Sequence, residues 1–272
     1  SEKLKRIDRI VQLIRCQSFL YYRHHDCDEL EYYSGFGPLF ELLRWPPTEV
    51  FSDLQEKVEH ADKKYELARN FFGCLSDARE LLRNVVWASG KNLDVALQQY
   101  NALAVVTQLV IDLTRTIRSL RKGNGPGEKY MPFYVSCLKG LKSCLQSLDR
   151  FCADPQALWA VRMIPSLVQA VTGLMSFQIQ KGQILTFSEA EDGVVAFALT
   201  LLKSWMNDNV IATTSRKFGS IPCLLALCLE AESFVQRLFS GETSEKGKEA
   251  VHSFSLTAAK SLARCLGFSE DS

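Results

Sequence analysis

Apolar residues recur at intervals of three and four along almost the whole chain, and this periodicity restricts the fold more than any other feature. Leu4, Ile7, Ile10, Val11 and Ile14 lie on one face of a helix. Val50, Phe51, Leu54, Val58, Ala61, Tyr65 and Ala68 do the same further on. Alternating apolar and polar residues, the signature of a half-buried strand, are confined to Gln178-Ile179-Gln180 and Ile184-Leu185-Thr186-Phe187. The expected fold class is therefore all-α.

Breakers divide the pattern. The sequence predicts helices over about 2–22, 38–43, 49–72, 75–88, 93–122, 132–152, 155–180, 188–207, 217–240 and 243–266. Gly73 separates the third and fourth of these, and Ser89-Gly90-Lys91-Asn92 ends the fourth in C-cap style. Asp154-Pro155 and Ser188-Glu189-Ala190-Glu191 read as helix starts. Pro165 kinks or splits its segment, because it lacks an N–H and its ring clashes with the preceding turn. Helix pairs of roughly 35–45 residues without a repeating signature suggest a degenerate HEAT- or armadillo-like stack. An irregular bundle of roughly 9–11 helices is the alternative.

A chain of 272 residues suits one large domain or two modest ones. Residues 1–272 are expected to form a single domain, or two subdomains, 1–122 and 128–272, joined by the glycine-rich loop 123–127. A 47% hydrophobic content supports a full core and excludes intrinsic disorder. The 32 basic and 31 acidic residues leave a net charge of +1, which gives no global attraction to nucleic acid or anionic lipid.

The nine cysteines, Cys16, Cys27, Cys74, Cys137, Cys144, Cys152, Cys223, Cys228 and Cys265, are odd in number and sit among apolar neighbours. They read as reduced, buried thiols of a cytoplasmic or nuclear protein. Cys137, Cys144 and Cys152 share a helix sector with Leu138, Leu141, Leu145 and Leu148, which marks a core seam. No signal peptide and no apolar run of about 18 residues is present, so no membrane span is expected. The first residue is Ser1 rather than Met, as expected of a piece cut from a longer protein or of a processed form.

Chemical candidates are few. His24-His25-Asp26-Cys27-Asp28-Glu29 is the densest set of metal-binding side chains, but neighbours in sequence do not converge on one ion from one helix face. His25-Asp26 resembles the ligand pair of the all-helical HD phosphohydrolases; the upstream histidine those enzymes need has no counterpart before His24. Glu56, Glu59, His60 and Asp62 lack the Glu-x-x-His spacing of di-iron bundles, since Lys57 stands three before His60. The loop 123–127 is followed by Glu128-Lys129 rather than the Gly-Lys-Ser/Thr of a phosphate-binding loop. No catalytic residue, metal or cofactor is assigned.

Two surface features remain. Arg115, Arg118, Arg121 and Lys122 form a basic stripe at a helix end, extended by Lys139 and Lys142, that suits an acidic partner or phosphates. Tyr32, Tyr33, Phe36, Phe40 and Trp45 make an aromatic stretch around Gly and Pro, serving either as partner anchors or as a plug for the end of a helical stack. The expected function is a non-catalytic scaffold or adaptor of a larger intracellular protein. Its partner would be another protein, or a peptide or helix of one. Homodimerisation, a nucleic-acid-associated role for the stripe and a metal-dependent all-α enzyme are the alternatives.

Overall fold

The computed structural model describes residues 36–44, 62–121, 130–175, 179–180, 183–184, 189–232, 235 and 245–268. Among these the protein is all-helical: α1 Phe36–Leu43, α2 Asp62–Ala88, α3 Gly90–Gln98, α4 Ala102–Leu120, α5 Met131–Phe151, α6 Pro155–Arg162, α7 Pro165–Met175, α8 Glu189–Trp205, α9 Asn209–Lys217, α10 Ser220–Leu229 and α11 Glu245–Leu266. The β-like pieces reduce to a two-residue antiparallel ladder, β1 Ile179–Gln180 with β2 Gln183–Ile184. No single described helix is long and apolar enough to cross a membrane.

The chain divides into two compact units, Ser1–Ala153 and Asp154–Ser272. The division does not fall at the glycine-rich loop 123–127. That loop lies outside the described residues, but α4 and α5 on either side of it pack against each other within the first unit. Their complementary apolar faces outweigh the glycine content of the connection.

In the first unit α5 lies along α2 on one side and α4 on the other. Phe72 of α2 meets Phe133 of α5 edge to face, with ring centroids 5.2 Å apart. Most of the expected seam is present, since Cys137, Leu138, Leu141, Cys144, Leu145 and Leu148 are all buried, but Cys152 caps the end of α5 and is only partly buried. Gly73 does not end a helix. α2 runs through it, because one interior glycine costs only about 1 kcal/mol relative to alanine while each large buried neighbour contributes about 1.5–3 kcal/mol. Phe71, Phe72, Cys74 and Leu75 are those neighbours. The helix expected over 93–122 is two helices, broken where Asn101 takes a left-handed conformation with φ 52°.

In the second unit α7 packs against α6, α8, α9 and α10, and α11 closes over α8, α9 and α10. Pro165 splits its segment as expected, and α6 and α7 meet at 87°. Asp154 caps α6 by accepting the Gln156 N–H at 2.8 Å, with Pro155 in the first turn. Asp208 caps α9, a helix the sequence reading missed, accepting the N–H groups of Val210 at 2.8 Å and Ile211 at 3.1 Å. Short polar ties cross the core. Thr172 and Ser215 hydroxyls lie 3.0 Å apart, the Ser220 hydroxyl is 3.0 Å from the Cys265 thiol, and Arg264 donates to the Lys203 carbonyl at 2.8 Å.

Candidate functional site: exposed apolar side chains of the second unit

Of the expected contact residues, Tyr32, Tyr33, Trp45 and Lys122 lie outside the described residues, as do His24–Glu29, Glu56, Glu59 and His60. Phe36 is described, and it is core. It is 1% exposed and stacks on Phe40 at 6.3 Å and Tyr100 at 5.6 Å, with Phe40 and Tyr100 themselves 5.1 Å apart. Phe36 and Phe40 of the aromatic stretch thus lie in the core of the first unit. Phe36 is not a partner contact.

The basic stripe does not present one face. Residues three apart on an α-helix rotate by about 300°, so Arg115 and Arg121 differ by about 120° around α4. Arg115 faces water and pairs with Asp112 at 3.6 Å. Arg118 is exposed, although partial desolvation lowers its pKa. Arg121 is 7% exposed, carried inward at the carboxyl end of the helix. Of the three arginines, Arg121 is thus withdrawn from a phosphate or carboxylate surface, while Arg115 and Arg118 remain exposed.

The most unusual buried group is Arg79 of α2, fully enclosed against α5. Its Nε and Nη2 are buried without a hydrogen-bond partner. Gly140 makes room for it: a Cβ at that position would stand 2.7 Å from Nη1 and 2.9 Å from Cδ. Burial lowers the Arg79 pKa, partly offset by the Cys144 and Cys137 sulfurs nearby. Burial pushes each of those thiols up to about 12 even though the guanidinium pulls the other way. Neither forms a useful thiolate at neutral pH, so this cluster is not a nucleophilic site. No group of three or more His, Cys, Asp or Glu side chains among the described residues is arranged to hold a metal. A shallow depression of about 480 Å³ between Arg69, Gly73, Met131 and Pro132 brings together no acid–base pair.

The surface of the second unit is different. Trp159 and Met163, one turn apart, are 62% and 63% exposed, while Ala157 and Val161 of the same helix are buried. Arg162, between them, pairs with Asp208 at 3.7 Å and so ties the end of α6 to the start of α9, where Val210 is also exposed. By contrast Trp87 in the first unit, half exposed, is engaged. Its indole N–H donates to the Gln146 carbonyl at 3.2 Å, and the Arg150 guanidinium lies 5.8 Å from its ring centroid. Sequence reading missed Trp159 and Met163, since i, i+4 apolar residues on a short helix look the same whether they face a core or water.

No protein-family model, curated protein or solved structure matches the chain. What the fold defines is an all-α protein of two compact helical units.

Proposed function

We propose that this protein is a non-catalytic interaction module that binds another protein through the helical surface of its second unit. The observation that carries the reading is the exposed Trp159–Met163 pair. Two large apolar side chains left in water on adjacent turns cost roughly 25 cal/mol for each Å² that a partner could cover. Tryptophan, methionine and arginine are enriched in protein interfaces, and tryptophan and arginine among the residues that dominate their energetics. The Arg162–Asp208 pair links the α6 terminus beside these anchors to the start of α9. A partner suited to this surface offers an apolar groove with a polar rim, or the apolar face of an amphipathic helix.

The test is affinity capture from nuclease-treated lysate with the parent protein and with Trp159→Ala/Met163→Ala. The expected result is a stoichiometric protein partner that is lost with the double variant while far-UV circular dichroism and thermal midpoint stay unchanged. Equal capture by both forms would refute the reading, and a partner released by nuclease would transfer it to nucleic acid.

A further inference from the structure

A cation stands inside the exposed apolar surface of α6. Arg162 follows Trp159 by three residues and precedes Met163 by one. At about 100° per residue, the three side chains leave the helix within an arc of about 100°. Met163 lies just past the last helical residue, but its φ of −84° is near helical and its N–H bonds the Ala160 carbonyl at 3.1 Å, so it continues the same turn. Arg162 also reaches α9. Its Nη1 is 3.7 Å from Asp208 Oδ2, while Asp208 Oδ1 accepts the N–H of exposed Val210. The cation thus has the apolar pair on its own helix and a third exposed apolar side chain on the helix it reaches. It is held loosely. A separation of 3.7 Å is beyond hydrogen-bond length, the Arg162 side chain is 40% exposed, and exposed pairs of this kind contribute little. Among the described residues Arg162 makes no other ion pair or hydrogen bond. Asp208 has a separate task, since its Oδ1 caps the first turn of α9.

We propose that the partner covering Trp159 and Met163 is an acidic amphipathic helix, whose Asp or Glu side chain, set beside its apolar face, takes Arg162 over from Asp208. The proposal rests on the reading of Trp159 and Met163 as a contact and adds the partner's charge. Any body that covers those two side chains covers Arg162 with them. A wholly apolar body would strip water from a guanidinium that one long contact does not compensate, and an uncompensated buried charge is strongly unfavourable. A cation in that place would add repulsion. A carboxylate completes the surface, because the planar fork of arginine takes it bidentately and such pairs are the strong ones. The start of α9 beside it presents the positive end of a helix dipole, which favours the same sign. An amphipathic helix sets large apolar residues one turn apart with a polar residue beside them. That is the arrangement of Trp159, Arg162 and Met163 with the charge reversed.

The probe is a displayed library of amphipathic helical peptides, selected against the full chain and counter-screened against Trp159→Ala/Met163→Ala. Peptides that lose binding to the double variant are expected to carry Asp or Glu beside their apolar residues. The best of them is then synthesised with Glu, Gln or phosphoserine at that position and measured by fluorescence anisotropy. The Glu form is expected to bind at least about tenfold more tightly than the Gln form, and Arg162→Gln to abolish the difference. Arg162→Glu is expected to weaken the Glu form more than Arg162→Gln does, and rising salt from about 50 to 500 mM to weaken the Glu form but not the Gln form. Asp208→Asn keeps the cap of α9 and removes the competing charge, so the Glu form should bind it as tightly as the parent or up to about threefold more tightly. Selected peptides without an acid, a Glu preference that survives Arg162→Gln, loss of the Glu form with Asp208→Asn, or binding of the phosphoserine form where the Glu form does not bind would each overturn the proposal while leaving the contact reading in place. A library that yields no peptide sensitive to the double variant would overturn both.

Discussion

Replacing Gly140 with alanine sets two effects of known sign against each other. In the interior of a helix, glycine to alanine ordinarily stabilises by about 1 kcal/mol, because glycine has more backbone freedom to lose on folding. At Gly140 the added Cβ would lie 2.7 Å from Nη1 and 2.9 Å from Cδ of Arg79. Non-bonded heavy atoms settle at about 3.5–4.0 Å, so one side must give by close to 1 Å. Arg79 cannot swing into water, because it is 2% exposed and enclosed along its length. Inserting a carbon into a packed seam costs about 1–3 kcal/mol. Gly140→Ala is therefore expected to destabilise the protein by on the order of 1 kcal/mol net. In an Arg79→Met background the obstructing guanidinium is gone and methionine can flex around the methyl. There the same change is expected to be neutral or stabilising, giving a coupling of on the order of 2 kcal/mol. Urea unfolding of the four proteins, followed by circular dichroism and tryptophan fluorescence, measures it. The reasoning fails if Gly140→Ala is as stable as the parent, or if its effect is the same in both backgrounds.

Three further outcomes follow from the same structure. Asp208→Ala removes the acceptor of two backbone N–H groups at the start of α9 and its ion pair with Arg162; a loss of about 0.5–2 kcal/mol is expected in urea unfolding, and Asp208→Asn should retain most of it as a cap. Burial raises the pKa of half-buried Asp149 from its ordinary value of 3.8, so the folded state holds its proton more tightly than the unfolded one; the stabilisation present at lower pH is lost as pH rises through the folded pKa, and Asp149→Asn is expected to raise the urea midpoint at pH 7 but not at pH 3. Among the described cysteines, thiol reagents under native conditions should label the half-exposed Cys152 and Cys228 well before buried Cys137 and Cys144, by peptide mapping; early labelling of the latter two would contradict the packing of α2 on α5.

Helix identity was legible where one physical signal acted alone. Pro165 removed a backbone donor in mid-segment, and the split and bend followed. Asp154-Pro155 combined a cap acceptor with a fixed φ, and α6 begins there. Legibility failed where signals competed. Gly73 is a weak helix breaker, and the buried residues around it decided the outcome. Asn101 broke a long apolar pattern through a left-handed backbone that periodicity does not encode. α9 was hidden because its residues, among them Thr213, Thr214 and Ser215, carry little helix propensity and rely on the Asp208 cap.

The surface was the least legible part. Arg115, Arg118 and Arg121 looked like one stripe because a spacing of three approximates a turn, but each step rotates the side chain by about 60° and the last is carried inward. Phe36 looked like a loop anchor and is core. Trp159, Met163, Leu225 and Leu229 had the spacing of core residues and face water. Periodicity reports that a face is apolar; only the packed structure reports whether the protein itself covers it.

The central claim is that Trp159 and Met163 are covered by another protein. Hydroxyl-radical footprinting tests it directly, since both side chains oxidise readily when exposed. In the free protein both should be oxidised, while fully buried Trp205 is spared. In the captured complex the account requires strong protection of Trp159 and Met163 with Trp205 unchanged. Oxidation of the pair undiminished in the complex, with protection appearing on another surface, would contradict it.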